Sequence, residues 1–315
     1  GGNIGNPLIN FAAGAQEEDW AVVEMSSFQL EGIEQFRPRV SVLLNITEDH
    51  LDRYASFADY GRAKERIFLN QGKEDFAVLN ADDPLTFRLA ERLTPRVVLF
   101  SSGRAVPWGC RLEKRAIVFR GAEGKEERFD LAKIKIRGAH NLENFMAAVA
   151  ASRTCGASPE DVQKVIDTFE GIEHRLEFVR DVGGVKFFND SKGTNVGSVV
   201  KSLQGFDEPV WLIAGGRDKE GSYSPLNELV AEKVKGMALI GEAKDRIFAA
   251  LGGLTEAVKV GTLEEAVRWC FSKAKRGDVV LLSPACASYD MFLNYQDRGR
   301  QFKEIVGKLK AQHLN

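Results

Sequence analysis

A polar stretch that follows a predicted strand holds the residues with the clearest potential for chemistry. Residues 40–45 form an aliphatic run typical of a buried strand. The loop after them contains Thr47, Glu48, Asp49, His50, Asp52 and Arg53. Carboxylates beside a histidine suggest a metal or phosphate site, since both residue types are common metal ligands. For so short a motif, a solvated acidic loop is the alternative.

Lys64 lies on the helix that is predicted to follow this loop. Ser56 is the expected N-cap, and the helix is predicted to reach about residue 70. Lys64 shares one helical face with Phe57, Tyr60, Ile67 and Phe68. An ammonium on an apolar face is costly unless it is paired or neutral. A lysine stem can also carry its charge to water, so both a functional and a solvated Lys64 are possible.

A second short apolar run, residues 20–24, is predicted to form another buried strand. Its carboxyl end delivers Glu24 and, just beyond it, Ser26. In open α/β sheets, ligands bind at the carboxyl ends of the strands. We therefore expect Glu24 and His50 to face one crevice.

Three predicted strands in the second half of the chain also end in polar residues. These strand ends are followed by Asp190–Thr194, Gly215–Lys219 and Ser283–Tyr289. Helix N-termini next to such loops offer backbone donors for an anion. Each loop alone is equally consistent with a capping turn, but three together indicate an anionic substrate. His174 and Arg175 precede them, in a predicted hinge where a cation could reach phosphates; a surface turn is the alternative.

The elements that must position these residues alternate between strand and helix, with further strands predicted at 76–80 and 96–100 and a helix from 82–84 to about 93 between them. This alternation predicts an α/β protein with a doubly wound sheet. Four short alternating runs, 110–112, 116–120, 127–131 and 133–136, predict a small antiparallel sheet. After the hinge at 171–177, we expect a Rossmann-like domain with strands near 177–181, 185–189, 210–214, 237–240, 257–260 and 278–282. The absence of a G-x-G-x-x-G motif argues against a nicotinamide dehydrogenase.

Composition narrows the class of protein. The 315 residues are enough for two domains, and 44% apolar with 28% charged residues is ordinary for a globular protein. A net charge of −2 gives no broad attraction to nucleic acid or an anionic membrane, so neither partner is expected. The four cysteines form no CxxC pair, which favours a reducing, cytoplasmic location. No apolar run reaches the ~20 residues of a membrane span.

In order and spacing, the motifs together resemble the Mur ligase family. They are GGNIGNP, VVEMSSFQL, LLNITEDHLDRY, GAHNLEN, GIEHRLE, FNDSKGTN, AGGRDK and SPACASYDMF. The SSFQL, TEDHLDRY and SPACAS versions are most similar to members that add D-glutamate to UDP-N-acetylmuramoyl-L-alanine. The resemblance implies part of a P-loop-type central ATPase domain over 1–172 and a Rossmann-like C-terminal domain over 173–315.

The resemblance also implies a reaction. ATP phosphorylates the carboxylate of UDP-N-acetylmuramoyl-L-alanine, and the amine of D-glutamate attacks the acyl phosphate to form an amide. Two magnesium ions would offset the phosphate charge, with Glu24, His50 and a carbamylated Lys64 as the catalytic metal ligands. Burial lowers the pKa of a lysine, and its neutral amine is the form that reacts with carbon dioxide.

The remaining site residues are carried over motif by motif. For the muramoyl substrate they are Asn3 and Ser26, and for ATP they are Asn141, Asn144, Arg175 and Asp190. For D-glutamate they are Lys192, Thr194, Lys219, Ser288, Tyr289 and Tyr295. The last is a departure, because the family pattern has phenylalanine at the position that corresponds to Tyr295.

A larger departure is that no G-x-x-G-K-[ST] P-loop is present. In relatives this motif precedes GGNIG, so we expect a fragment that lacks the UDP-binding domain, is monomeric and cannot ligate alone. Three alternatives remain. They are a related amide ligase for another amino acid, such as a folylpolyglutamate synthetase-like enzyme, a metal-dependent hydrolase, and a non-catalytic binding module.

Overall fold

The computed structural model describes residues 1–3, 5–47, 53–136, 138–217 and 221–310. Two compact units divide the chain. The first comprises Gly1–Ala132 with Glu143–Ile166, and the second comprises Lys133–Leu142 with Asp167–Asn315. Two predicted site residues, His50 and Lys219, lie outside the described residues, so their roles stay predictions. Within the described part, no helix combines the length and apolarity that crossing a membrane requires.

The first unit begins with a short 3-10 helix, Leu8–Phe11, then α1 (Ser27–Glu31) and β1 (Val40–Leu43). The predicted buried strand at 20–24 is wrong, because only Glu24 forms an isolated bridge, to Gly2, and Val22 is 87% exposed. This backbone bonds to residues 1–3 and is not part of the six-stranded sheet that contains β1, so no sheet neighbour buries its side chains.

The next elements of this unit are α2 (Phe57–Glu65), a 3-10 turn, β2 (Phe76–Asn80), α3 (Pro84–Leu89) and β3 (Arg96–Ser101). Ser56 caps α2 as predicted, since its side chain accepts a hydrogen bond from the backbone N–H of Asp59. Strands β1, β2 and β3 are parallel, and most of their aliphatic residues are buried, with Val40, Val42 and Val97 half-buried. The apolar runs at 40–45, 76–80 and 96–100 predicted these strands, and the first of them ends earlier than predicted, at Leu43.

Strands β4 (Gly109–Glu113), β5 (Ala116–Arg120) and β6 (Glu126–Asp130) pair antiparallel as predicted. They do not form a separate sheet, because β4 also pairs with β3 and the six strands run in the order β1-β2-β3-β4-β5-β6. The fourth predicted strand, 133–136, is not a strand. Two helices follow, α4 (Ala139–Thr154) and α5 (Pro159–Thr168).

The second unit has a six-stranded sheet in the order β11-β10-β9-β12-β8-β7. All pairs are parallel except β7 with β8. Its strands are β7 (Glu177–Val182), β8 (Val185–Asn189), β9 (Val210–Gly215), β10 (Val234–Ile240), β11 (Glu256–Lys259) and β12 (Val279–Leu282). Its helices are α6 (Val196–Gln204), α7 (Asn227–Lys233), α8 (Lys244–Leu251), α9 (Leu263–Lys273) and α10 (Tyr295–Gly307). The predicted Rossmann-like alternation is confirmed.

Helices cover both faces of this second sheet. One apolar cluster includes Leu203 and Ile247, from α6 and α8, and the other includes Val267 and Phe302, from α9 and α10. Full burial of such a side chain contributes about 1.5–3 kcal/mol. This packing fixes the sheet, and the sheet order sets β9, β12 and β8 side by side with their carboxyl ends at one edge.

Candidate functional site

The three polar strand ends of the second unit form one continuous surface of hydrogen-bonded loops. The backbone N–H of Ala285 donates to the carbonyl of Gly193 at 2.9 Å, which joins the loops after β12 and β8. The N–H of Arg217 donates to the carbonyl of Ala287, also at 2.9 Å, which joins the loops after β9 and β12. A Cβ at Gly216 would lie 2.2 Å from the oxygen of Ala287, so this approach requires glycine. The structure thus brings the predicted loops together.

Asp190 is the anchor of the loop after β8. Its side chain is buried, and one carboxylate oxygen accepts hydrogen bonds from the hydroxyls of Ser202 and Ser283, both at 2.7 Å. The other oxygen accepts from the N–H of Leu176 at 3.3 Å. Burial raises the pKa of this carboxyl. These bonds tie the loop to α6 and to the loop after β12.

Lys192 and Thr194 are half-buried on the same loop. The ammonium of Lys192 lies 6.0 Å from the ring centroid of Tyr295. The backbone N–H of Lys192 donates to the carbonyl of His174 at 3.0 Å. Thr194 directly precedes Asn195, the N-cap of α6. The free N–H groups of a helix start add partial positive charge next to these side chains.

The loop after β12 presents a buried hydroxyl and an exposed aromatic ring. Ser288 is buried, and its carbonyl accepts from the N–H groups of Met291 and Phe292. Tyr289 is 65% exposed. Tyr295 begins α10, and its ring packs edge-on against His174 with the ring centroids 6.1 Å apart. Thus, of the six residues predicted to hold D-glutamate, the five that are described lie on the loops after β8 and β12 or at the start of α10.

Arg298 is a buried cation behind this surface that the sequence motifs did not single out. Its Nε donates to the Ser191 hydroxyl at 3.0 Å, and Nη2 donates to the carbonyls of Ser191 and Cys286 at 2.9 and 3.2 Å. Burial lowers the pKa of this fully buried guanidinium to about 10. The sequence gives one indication that Arg298 is buried, because Arg298, Phe302 and Val306 fall on one face of a helix.

His174 is buried rather than part of a surface turn. Its backbone φ is +66°, and its ring Nδ1 lies 2.9 Å from the side-chain amide nitrogen of Asn189. That contact assigns Nδ1 as the acceptor and Nε2 as the protonated nitrogen. Burial lowers the pKa of His174, so it does not supply the predicted hinge cation at neutral pH. The neighbouring Arg175 is exposed.

Glu173, His174 and Glu177 form a group of possible metal ligands within 4.8 Å of one another. The ammonium of Lys303 lies 2.6 Å from Glu173 and 2.8 Å from Glu177. One lysine therefore already pairs with both carboxylates, and the group is better described as an ion-pair network than as a metal site.

In the first unit, the structure brings Asn3 and Glu24 together. The side-chain amide of Asn3 donates to Oε1 of Glu24 at 3.1 Å, and the two residues also bond through their backbones. Both are exposed. Ser26 lies close by in sequence but is the N-cap of α1, where its hydroxyl bonds to Gln29 in a capping box.

Lys64 is half-buried on α2, as its position on the apolar face predicted. Its ammonium lies 5.1 Å from the ring centroid of Tyr60, which is buried. The carboxylate of Glu24 suits Mg²⁺, which prefers oxygen ligands. Because His50 lies outside the described residues, the set of Glu24, His50 and Lys64 stays a prediction.

Asn141 lies in the first turn of α4 and Asn144 in the second. Asn141 is buried, and its N–H donates to the carbonyl of Gly138 at 3.0 Å.

A cavity of about 580 Å³ in the first unit is lined by none of the predicted site residues. Its lining is Glu31, Tyr54, Asp59, Arg62, Ala63, Glu65, Arg66 and Leu69.

Two family sequence patterns match the chain. Residues 2–152 match the Mur ligase middle domain, and residues 174–286 match the Mur ligase glutamate ligase domain. A UDP-N-acetylmuramoylalanine–D-glutamate ligase from Geotalea daltonii is 55% identical over 98% of this chain. One with the same name from Syntrophus aciditrophicus is 50% identical over 97%. The chain spans 68% of the length of each of these relatives.

Solved structures give the same fold. The UDP-N-acetylmuramate-alanine ligase MurC of Thermotoga maritima aligns with a TM-score of 0.63 at 20% identity, covering 90% of this chain and 62% of its own. MurF of Acinetobacter baumannii aligns with a TM-score of 0.65 at 19% identity, covering 85% and 60%. The chain thus spans less than two thirds of these two solved proteins. At such identities, the likeness concerns the fold alone.

Proposed function

The chain belongs to the Mur ligase family and is of the D-glutamate-adding type, and we propose that the protein ligates D-glutamate to UDP-N-acetylmuramoyl-L-alanine at the expense of ATP. The observation that carries this proposal is the joined surface of three polar loops after β8, β9 and β12 in the unit that matches the glutamate ligase domain. Relatives at 50–55% identity bear the name of this reaction.

D-Glutamate carries two carboxylates, and the proposed amino-acid site is rich in groups that bind them. Lys192, Thr194 and Ser288 supply an ammonium and two hydroxyls, and Lys219, Tyr289 and Tyr295 complete the proposed set. Hydrogen bonds in which one partner is ionised are about twice as strong as neutral ones. The buried cation of Arg298 lies behind the same loops, which favours an anionic ligand there.

The proposed reaction passes through an acyl phosphate of UDP-N-acetylmuramoyl-L-alanine, which the D-glutamate amine attacks to form the amide while phosphate leaves. Glu24, His50 and carbamylated Lys64 would hold magnesium at two sites. Bound magnesium would offset the charge of the phosphates and of the substrate carboxylate. Asn3 and Ser26 would approach the muramoyl substrate. The hydrogen bond from Asn3 to Glu24 would keep that carboxylate oriented.

For ATP, we propose that Asn141 and Asn144 contact the adenine and that Arg175, which is exposed, binds phosphate oxygens. Asp190 belongs to the same proposed set. Its buried carboxyl already accepts three hydrogen bonds, so it would act by fixing the loop rather than by offering an exposed oxygen. A monomeric, cytoplasmic enzyme with small-molecule substrates completes the proposal.

A panel of amino acids tests this function. The product of the complete gene that encodes this sequence is given ATP, magnesium and UDP-N-acetylmuramoyl-L-alanine, and phosphate release is measured. We expect release with D-glutamate and little with L-glutamate, L-alanine, L-lysine or meso-diaminopimelate. Omitting the UDP substrate is the control and should stop the release. A different preferred amino acid would indicate a related amide ligase, and no release with any of them would contradict a ligase function.

A further inference from the structure

A polar network next to Lys192 includes two residues, Glu177 and Asn189, to which the sequence motifs assigned no role. They face each other as paired residues of the antiparallel strands β7 and β8. Asn189 is the last residue of β8 and is fully buried. A buried amide that makes a complete set of hydrogen bonds restricts its surroundings to one arrangement.

Glu177 connects three parts of the second unit. One of its oxygens accepts from the backbone N–H of His174 at 2.9 Å and from the side-chain amide of Asn189 at 3.0 Å. Its other oxygen accepts from the ammonium of Lys303, on α10, at 2.8 Å. The carboxylate therefore holds His174, the end of β8 and α10 together.

Asn189 connects this carboxylate to the loop after β8 through hydrogen bonds. Its amide nitrogen contacts Nδ1 of His174 at 2.9 Å, and its amide oxygen accepts from the N–H of Ser191 at 3.1 Å. The carbonyl of His174 then accepts from the N–H of Lys192 at 3.0 Å. The backbone at two successive loop residues is thus held by groups that Glu177 and Asn189 fix.

The conformation of His174 needs this support. Its φ of +66° is unfavourable for a residue with a Cβ and persists only where the surroundings hold it. The bond from its N–H to Glu177 and the contact of its ring with Asn189 provide that hold. Without them, the carbonyl that fixes Lys192 would be free to move.

We propose that Glu177 and Asn189 are positioning residues for the amino-acid site, because they set the backbone that presents Lys192. The inference rests on the proposed function in one respect, the assignment of Lys192 to the D-glutamate carboxylates. Lys303 extends the network to α10, the helix that begins with Tyr295, whose ring lies near the ammonium of Lys192. One network therefore sets both the cation and the aromatic ring beside it.

Kinetics of Asn189→Ala in the full-length enzyme test the proposal. We expect the KM for D-glutamate to rise at least about tenfold, with the KM for ATP within about twofold of the wild type. Glu177→Gln keeps one acceptor oxygen, which can still accept from the N–H of His174, so it should retain more affinity for D-glutamate than Glu177→Ala. Val267→Ala is the matched control, since it removes buried volume from α9 in the same unit without touching the network. It should leave both KM values unchanged.

Amide hydrogen exchange supplies a second readout that does not depend on the substrate. In Asn189→Ala, residues 190–194 should exchange faster while β9 stays protected. An unchanged KM for D-glutamate in Asn189→Ala would overturn the proposal. If protection from exchange were also lost uniformly across the second unit, the role of Asn189 would be merely structural. If the wild type itself does not use D-glutamate, the proposed function fails, while exchange at 190–194 still tests the positioning network.

Discussion

Lys192 in the second unit and Glu24 in the first are both candidate ligand-binding residues, but their surroundings differ. The loop of Lys192 is fixed by the buried Asp190, Asn189 and Arg298, each of which makes several hydrogen bonds. Glu24 is exposed, and within the described part of the chain its backbone bonds to Gly1 and Asn3. The proposed amino-acid site is therefore organised by contacts within the protein, whereas the candidate metal site shows little such support in the described residues.

This difference has an energetic consequence. Removing one partner from a buried hydrogen bond leaves the other unsatisfied and costs about 1–3 kcal/mol. Changes around Lys192 should therefore lower both stability and affinity for D-glutamate. Changes at Glu24, which is exposed, or at Lys64, which is half-buried, should lower activity and leave stability nearly unchanged.

The largest effect is expected for Lys64→Ala. Loss of the proposed carbamate oxygen should lower ligation by about a hundredfold or more, since stabilisation of developing charge is a large part of catalysis. Added short-chain carboxylates should restore part of the activity, and the thermal midpoint should change little. Phosphate release checks the activity, and calorimetry checks the midpoint. Normal activity in this variant would remove Lys64 from the proposed metal site.

Arg298→Met, unlike Lys64→Ala, should lower the stability of the protein. It leaves the carbonyls of Ser191 and Cys286 without their donor, so we expect a loss of about 2–4 kcal/mol in the free energy of unfolding. Arg300→Met is the matched control on the same helix, where the exposed side chain pairs, among the described residues, only with Asp297 at 3.5 Å. It should cost less than about 0.5 kcal/mol. Equal losses in urea unfolding would mean that the buried cation has no special structural role.

A smaller effect is expected from adding one methyl group to α10. A Cβ at Gly299 would lie 2.2 Å from Nδ1 of His174, so Gly299→Ala should destabilise by about 1–3 kcal/mol through overpacking. The same change at Gly307 meets no atom of the described residues within 4 Å and should stabilise by about 0.5–1 kcal/mol. If both variants shifted stability in the same direction, the tight packing of α10 on His174 would be in doubt.

The sequence predicted most of the fold because apolar runs report burial directly. Strands β1 to β3 and all strands of the second unit follow from their aliphatic residues. Residues 20–24 have the same composition, but a strand also needs a sheet neighbour, and local pattern does not reveal one. The pairing of β4 with β3 likewise depends on tertiary structure that a local pattern does not reveal. The two predicted sheets of the first unit therefore proved to be one.

The candidate site was predictable where a polar residue follows an apolar strand, as at Asp190 and Lys192. Arg298, Glu177 and Asn189 were not singled out, because charged or amide side chains on a helix or strand usually face water. Arg298 bonds to Ser191 and Glu177 bonds to Lys303, and each of these partners lies more than 100 residues away in the sequence. Helical spacing with Phe302 was the one local signal for Arg298.

The most direct test of the amino-acid site compares Lys192→Met with Lys201→Met in the full-length enzyme. Lys201 is an exposed lysine on α6 of the same unit and serves as the matched control. Steady-state kinetics should show a rise of roughly a hundredfold in the KM for D-glutamate for Lys192→Met, and less than about threefold in the KM for ATP. Lys201→Met should change neither. A rise in the KM for ATP that equals or exceeds the rise for D-glutamate would contradict the assignment of these loops to the amino acid.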